Sequence, residues 1–184
     1  MTEYWGRKNL EGLVAELQRQ RESMLDFVAD QRQLGIDYRE TVGGAEDGKG
    51  ELCLVPQAGT QAVEFLPGGG VTFTSNGLQQ LGDRQSPSVP WKFLDTLATE
   101  KPEIAGHLLA DLMASPGLNP RRLIRVLDGK CRAVLSSRYR VMDHYDLAFA
   151  TLETVQANGG QVLDCSLTER SMTMKFTSFE VWDR

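Results

Sequence analysis

The chain has 184 residues, with 20 Lys or Arg against 25 Asp or Glu, so its formal net charge is −5 at pH 7. This length allows one domain with a sizeable core, and no apolar run reaches the ~18 residues that a membrane-spanning helix needs. The first residues, MTEYWGRKNLEGL, contain no apolar signal region. We therefore predict a single cytoplasmic domain over residues 1–184, without a membrane partner.

The first predicted element is an amphipathic helix within residues 1–34. It begins near Asn9 and ends before Gly35, because apolar residues recur at spacings of three, four and seven. These residues are Leu10, Leu13, Leu17, Met24, Leu25 and Val28. Such a helix packs on its own domain or, alternatively, bridges two subunits. A glycine-rich loop over residues 41–50 follows it.

The middle of the chain is predicted as short strands and then helices. Short strands fall within residues 51–73, at 51–55, 61–66 and 71–73, separated by Pro- and Gly-containing turns. Residues 74–116 form a helical segment, capped by Thr74 or Ser75 and broken near Pro87 and Pro90. Pro102 opens its last helix.

The last third, residues 119–184, is predicted as a β-β-α-β-β core. Its first hairpin turns at Asp128-Gly129, a pair suited to the positive φ angles of a type I′ turn. Asp143 caps a helix over residues 144–157, and glycines at 159 and 160 end that helix. Strands at 161–167 and 172–177 form the second hairpin. The fold class is therefore α+β, with antiparallel hairpins packed on helices.

The first hairpin is strongly basic. Residues 119–140 hold seven of the 20 basic residues and one acid, a local charge of +6 that leaves −11 for the remainder. With a two-residue turn, Leu127 opposes Lys130 and Val126 faces Cys131. In the same register Ile124 faces Ala133, and Arg125 lies opposite Arg132. Like charges placed opposite each other on a sheet lower the stability of the fold by up to ~1 kcal/mol. A bound polyanion would remove this repulsion.

We therefore predict a nucleic-acid-binding surface on this basic hairpin. Alternatives are a solvated face, arginines paired with acids elsewhere in the fold, or a different register. The predicted nucleic-acid-binding residues are Arg121, Arg122, Arg125, Lys130, Arg132, Arg138, Tyr139 and Arg140.

No catalytic motif accompanies this charge. The three cysteines (Cys53, Cys131, Cys165) are far apart, which favours free buried thiols over a disulfide frame. His144 lies between Asp143 and Tyr145, but adjacent residues at a helix start point in different directions and do not converge on a metal. We predict no catalytic residue, cofactor or metal. The enzymatic alternative is a metal-dependent nuclease that gathers scattered carboxylates, namely Asp128, Asp143, Asp146, Asp164 and Glu169.

The basic hairpin also carries a family resemblance. Its pattern R-x-L-D-G-x-x-R-A-x-L-S-x-R-Y-R over residues 125–140, preceded by VPWKFL at 89–94, resembles a family of uncharacterised phage- and plasmid-encoded proteins. The resemblance covers residues 74–177. It implies a role in DNA transactions, with a link to phage single-strand annealing (Rad52-like) proteins, which oligomerise and hold single strands in a basic groove without ATP or metal.

The sequence thus predicts a phage-type protein that binds and anneals single-stranded DNA in recombination or replication. It would act without ATP, as a homo-oligomer, in the host cytoplasm if phage-encoded. One alternative is an oligomeric assembly protein that uses the basic hairpin at a subunit interface. The nuclease is a second alternative.

Overall fold

The structure is a computed structural model that describes residues 7–8, 10–40, 50–66, 70–115, 120–168 and 171–177. It confirms the α+β class. The helices are α1 (Leu10–Ser23), α2 (Ala62–Phe65), α3 (Ser75–Asp83), α4 (Trp91–Glu100), α5 (Pro102–Ala114) and α6 (His144–Ala157). The strands are β1 (Arg7–Lys8), β2 (Met24–Asp30), β3 (Leu34–Glu40), β4 (Gly50–Pro56), β5 (Val71–Phe73), β6 (Arg121–Leu127), β7 (Lys130–Ser136), β8 (Gln161–Leu167) and β9 (Met172–Thr177).

The chain divides into two compact units, where the sequence predicted one domain. The central unit is Met24–Tyr139, and the terminal unit combines Met1–Ser23 with Arg140–Arg184. Each unit has its own sheet: β2-β6-β7-β5-β4-β3 in the central unit and β1-β8-β9 in the terminal unit. The predicted β-β-α-β-β order is correct, but its two hairpins belong to different sheets.

The central sheet has to curl because its two edge strands are consecutive in the chain. β2 and β3 lie at opposite edges, yet only a 3-10 turn, Gln31–Gln33, separates them. A flat six-stranded sheet would hold its edges about 24 Å apart, at about 4.8 Å per strand. Four residue steps from Asp30 to Leu34 cover at most about 14 Å.

Backbone hydrogen bonds fix this short link to both halves of the sheet. The amide of Gln31 donates to the carbonyl of Pro120, just before β6, at 2.9 Å. The carbonyl of Gln33 accepts from the amide of Gln57, just after β4, also at 2.9 Å. The link is therefore hydrogen-bonded both to the residue before β6 and to the residue after β4, and it holds these two parts of the sheet close together.

One apolar cluster fills the space inside the curl. It contains Phe27 from one edge strand, Leu34 from the other, and Leu109 from α5. Leu81 of α3 and Leu94 of α4 belong to the same cluster. Since both edges and three helices share one core, the sheet wraps around the helices.

The predicted N-terminal helix is wrong beyond Ser23. α1 ends there, and Met24 begins β2, which pairs antiparallel with β6 over seven residues. Leu25, Phe27 and Ala29 alternate toward the core, as residues of a strand do. The strand forms in place of the predicted helix because β6 provides a backbone partner for each residue of β2. The predicted cap, Asn9, lies outside the described residues.

The predicted strand at 61–66 is instead the short helix α2. Ala62 and Leu66 are both buried, a spacing of four that a helix can place on one side. A strand would also have turned Glu64, midway between them, toward the core. The other predicted strands of this region are confirmed as β4 and β5.

The terminal unit packs α1 and α6 on one face of its three-stranded sheet. Its core contains Leu13 and Leu17 of α1, Ala148 of α6, and Cys165 and Leu167 of β8. The predicted bounds of α6, β8 and β9 are confirmed. Met172 and Met174 pack against this core, as their alternation with polar residues predicted.

Helix α3 supplies hydrogen bonds that the short strand β5 cannot give to β7. β5 pairs with β7 only at Lys130 and Cys131. Farther along β7, the Asn76 side-chain amide donates to the carbonyl of Arg132 at 3.0 Å, and the amide of Val134 donates to Gln80 Oε1 at 3.0 Å. α3 can lie this close to the strand because residue 77 is glycine.

Gly77→Ala therefore tests how tightly α3 packs on β7. A Cβ at this position would lie 2.1 Å from the backbone carbonyl oxygen of Cys131. Alanine favours a helix over glycine by about 1 kcal/mol, so a helix without this contact would gain stability. We expect a loss of about 1–3 kcal/mol in urea unfolding instead, because the backbone has to move. Gly35→Ala is the control, since its Cβ would meet side chains only, the nearest at 3.4 Å. If Gly77→Ala and Gly35→Ala unfolded at the same urea concentration, α3 would not pack on β7 as closely as the structure shows.

Candidate nucleic-acid interface

The basic hairpin forms with the predicted turn. Asp128 has φ 52° and Gly129 has φ 71°, the positive pair that a type I′ turn requires. The first two cross-strand pairs, Leu127 with Lys130 and Val126 with Cys131, are also as predicted.

A β-bulge then shifts the register by one residue, so the other predicted pairs are wrong. Arg125 lies opposite Ala133 and Ile124 opposite Val134, with Arg132 as the extra residue of the bulge. Arg125 and Arg132 are therefore not the direct cross-strand pair that the regular register predicted.

Arg125 is part of the folded interior and not of an exposed basic face. Its side chain is 7% exposed, and its Nε lies 2.9 Å from Oδ2 and 3.1 Å from Oδ1 of Asp26. Asp26 stands directly opposite on β2, and Nη2 of Arg125 contacts the Met24 sulfur at 3.0 Å. This is the alternative in which an arginine pairs with the protein's own carboxylate. The prediction that Arg125 faces outward is wrong.

Four arginines lie near the other end of the hairpin, away from its turn. Arg121 and Arg122 begin β6, and Arg122 pairs with Ser136 at the end of β7. The Arg138 amide donates to Ser136 Oγ at 3.3 Å, and Nη2 of Arg122 donates to the carbonyl of Arg84, just after α3, at 3.2 Å. We call Arg84, Arg121, Arg122 and Arg138 the open-end arginine cluster.

Two of these charges, those of Arg84 and Arg122, are close enough to repel each other. Burial, and next the positive charge of Arg84, lower the pKa of the Arg122 guanidinium. Arg84, Arg121 and Arg138 are exposed, and Arg122 is half-buried. Because successive strand residues point to opposite faces, Arg122 shares the core-facing side of β6 with Ile124, and Arg121 lies on the other side. An anion beside Arg84 and Arg122 would be attracted by both guanidinium groups.

Two carboxylates border the cluster. Asp30 is opposite Arg121 on β2, and Asp83 precedes Arg84. Arg32 hydrogen-bonds to Asp30, Nε to Oδ1 at 2.9 Å, and this bond lowers the pKa of Asp30, with a smaller contribution from Arg121. Among the residues that the structure describes, these four arginines and Arg32 number five, against the two carboxylates of Asp30 and Asp83.

The remaining predicted residues are spread along the hairpin. Lys130 is exposed at the turn, about 20 Å from the open end at about 3.4 Å per residue. Arg132 is half-buried at the bulge. Tyr139 is 51% exposed, and its amide donates to the carbonyl of Ser136 at 2.9 Å, which holds it beside the open end. Arg140 is exposed and belongs to the terminal unit.

The carboxylates considered for a nuclease do not form a metal site in the part of the chain that the structure describes. No group of three or more His, Cys, Asp or Glu side chains able to hold an ion occurs there. Glu169 lies outside the described residues. The three cysteines are free and buried, and burial raises the pKa of the Cys131 thiol to about 12. Among the described helices, none combines the length and apolar character that crossing a membrane requires.

The sequence did not identify Arg84 as part of the site. Arg84 lies 38 residues before Arg122 in the sequence. The packing of α3 on β7 brings the two residues into contact. The neighbourhood of Arg84, LGDRQ, reads as an ordinary helix end. Nothing local distinguishes it from other exposed arginines.

Removing the carboxylate beside Arg125 should destabilise the fold. Asp26→Ala leaves a buried guanidinium without its anion, and we expect a loss of about 2–3 kcal/mol, less than for a fully buried pair because Asp26 is partly exposed. Adding Arg125→Met removes the unpaired charge, so the double variant should recover part of that loss. Urea unfolding of both single variants and the double variant measures this. A double variant as unstable as the sum of the singles would show that the two residues are not coupled.

Comparisons of the chain with protein-family models, with curated proteins and with solved structures give no significant match. The resemblance of residues 125–140 to phage- and plasmid-encoded proteins therefore stays a prediction. The chemistry of the site is carried by the open-end arginine cluster and the exposed ring of Tyr139 beside it.

Proposed function

We propose that this protein binds single-stranded nucleic acid, with DNA as its ligand, through the open-end arginine cluster. The observation that supports the proposal is the placement of Arg84 and Arg122 next to each other, with exposed Arg121 and Arg138 nearby. Folding brings the charges of Arg84 and Arg122 together, although the chain as a whole is acidic. A polyanion relieves their repulsion, whereas water and salt only screen it.

The chemistry of the cluster suits phosphate in particular. A guanidinium group presents parallel N–H donors that match two oxygens of one phosphate, and several arginines within one site match successive phosphates. Contacts of this kind position a strand without reading its sequence. We therefore propose binding with little sequence preference.

Tyr139 directs the proposal toward single strands. Its half-exposed ring lies just after the Ser136 turn, one residue from Arg138. A phosphate held by Arg138 would bring an unpaired base within reach of this ring, and bases stack on aromatic rings regardless of their identity. Paired bases inside a duplex cannot do this without unstacking.

The proposed function includes annealing, the pairing of two complementary single strands, in addition to binding. Two complementary strands repel each other through their phosphates, and a protein that neutralises those charges lowers the barrier to pairing. This role requires no bond to be made or broken, so it needs neither nucleotide hydrolysis nor a metal ion.

Charge reversal at the cluster should weaken binding. Arg84→Glu with Arg138→Glu should reduce affinity for a fluorescent single-stranded oligonucleotide at least about tenfold at ~0.1 M salt, since exposed phosphate contacts are lost. The slope of log affinity against log salt should fall by about one to two. Fluorescence anisotropy titrations at several salt concentrations give both values.

The matched control is Lys92→Glu with Lys101→Glu. It changes the net charge by the same amount at exposed positions of the central unit, outside the cluster. We expect it to keep most of the affinity. If both double variants weaken binding equally, the effect comes from overall charge and the cluster is not the site.

A substitution of Tyr139 tests the preference for single strands. Tyr139→Ala should lower single-strand affinity by about 1–3 kcal/mol, whereas Tyr139→Phe keeps the ring and should keep the affinity. Affinity for a duplex of the same sequence should change little. Competition titrations with the two ligands measure this difference, and an equal loss for duplex and single strand would argue against stacking.

A further inference from the structure

Ser136, the last residue of β7, contacts three residues of the proposed nucleic-acid site. It lies opposite Arg122 in the β6–β7 ladder. Its hydroxyl oxygen Oγ accepts a hydrogen bond from the amide of Arg138 at 3.3 Å, and its carbonyl accepts one from the amide of Tyr139 at 2.9 Å. One residue therefore holds the backbone of both residues to which the proposed function assigns phosphate binding and base stacking.

The two hydrogen bonds close a tight turn at the end of β7. The bond from Tyr139 closes residues 136–139, which is the spacing of a β-turn. The bond to the hydroxyl spans two residues, as in turns where a serine side chain takes the place of a backbone acceptor. The side chains of Arg138 and Tyr139 are exposed and make no hydrogen bond or ion pair within the described residues. Their position therefore depends on the backbone that Ser136 holds.

Ser136 also shares a side of the sheet with Arg122. Residues directly opposite on two antiparallel strands have their side chains on the same side, with Cβ atoms about 4.5–5.5 Å apart. Arg122 in turn donates from Nη2 to the carbonyl of Arg84 at 3.2 Å. The turn that carries Arg138 and Tyr139 therefore starts beside the two arginines whose charges repel each other.

We propose that Ser136 is a positioning residue of the nucleic-acid site, an inference that rests on the proposed function. Its hydroxyl fixes the direction in which the chain leaves β7, so Arg138 and Tyr139 are held next to Arg122 before a strand binds. A site that already has its bound arrangement loses less conformational entropy on binding. Ser136 thereby sets the preference for single strands, because the ring of Tyr139 stacks on unpaired bases.

Ser136→Ala tests the role of the hydroxyl. It removes one hydrogen-bond acceptor and leaves Arg122, Arg138 and Tyr139 unchanged. Single-strand affinity should fall about three- to tenfold, with little change in duplex affinity. Ser136→Thr keeps a hydroxyl on the same carbon and should restore wild-type affinity. Ser137→Ala is the matched control, because Ser137 is also half-buried and its hydroxyl makes no hydrogen bond within the described residues. Fluorescence anisotropy with single-stranded and duplex oligonucleotides gives these affinities.

A double-mutant cycle shows whether Ser136 acts through Tyr139. In a Tyr139→Ala background there is no ring to position, so Ser136→Ala should reduce single-strand affinity by a smaller factor than in the wild type. In an Arg84→Glu background the ring is present, and Ser136→Ala should reduce affinity by the same factor as in the wild type. A substitution that only loosened the fold would weaken binding equally in both backgrounds.

The hydrogen bond itself can be measured without a ligand. By NMR, the Arg138 amide should exchange with solvent more slowly in the wild type than in Ser136→Ala, and urea unfolding verifies that the variant is folded. Equal exchange in the two proteins would overturn the inference. So would wild-type affinity of Ser136→Ala, or a Ser136→Thr variant that binds as weakly as the alanine variant. A wild-type chain that binds no oligonucleotide would overturn the proposed function, and this inference with it.

Discussion

The short link between β2 and β3 is the constraint on which the central unit depends. It places the two edge strands of a six-stranded sheet three residues apart, so the sheet has to wrap around its helices. Wrapping brings α3 against β7 closely enough that only glycine fits at position 77. It also brings the end of α3 to the start of β6, where Arg84 meets Arg122.

The bulge in the basic hairpin separates one arginine that is buried in the fold, Arg125, from arginines that are exposed to a ligand. With a regular ladder, Arg125 and Arg132 would share one face and repel each other. The extra residue moves Ala133 opposite Arg125, and the neighbouring strand supplies Asp26 as its counter-ion. A buried pair of this kind contributes little net stability by itself, but it fixes the register of β2 on β6 because a one-residue slip would bury both charges unpaired.

The sequence predicted best where local chemistry decides the structure. The Asp128-Gly129 turn, the helix after Asp143 and the alternating strand from Met172 all depend on neighbouring residues. The sequence-based predictions were wrong where contacts with residues distant in sequence determine the structure. Residues 24–30 fit a helical stripe as well as a strand, and pairing with β6, nearly a hundred residues later, selects the strand. The residues of the candidate site show the same difference between local and distant signals. Arg121, Arg122 and Arg138 came from the local charge run, whereas the loss of Arg125 and the gain of Arg84 follow from strands and helices distant in sequence.

The terminal unit is assembled from the two ends of the chain, with the central unit inserted between them. β1 pairs with β8, Arg7 opposite Ser166, and α1 buries Leu13 and Leu17 against residues of the same late strand. A ribosome makes about 5–20 residues per second, so α1 leaves it many seconds before its partners exist. During that time the central unit can complete its own core, while the apolar stripe of α1 stays uncovered. The terminal unit can therefore complete its core only after residues 144–167 have been made, later than the central unit can complete its own.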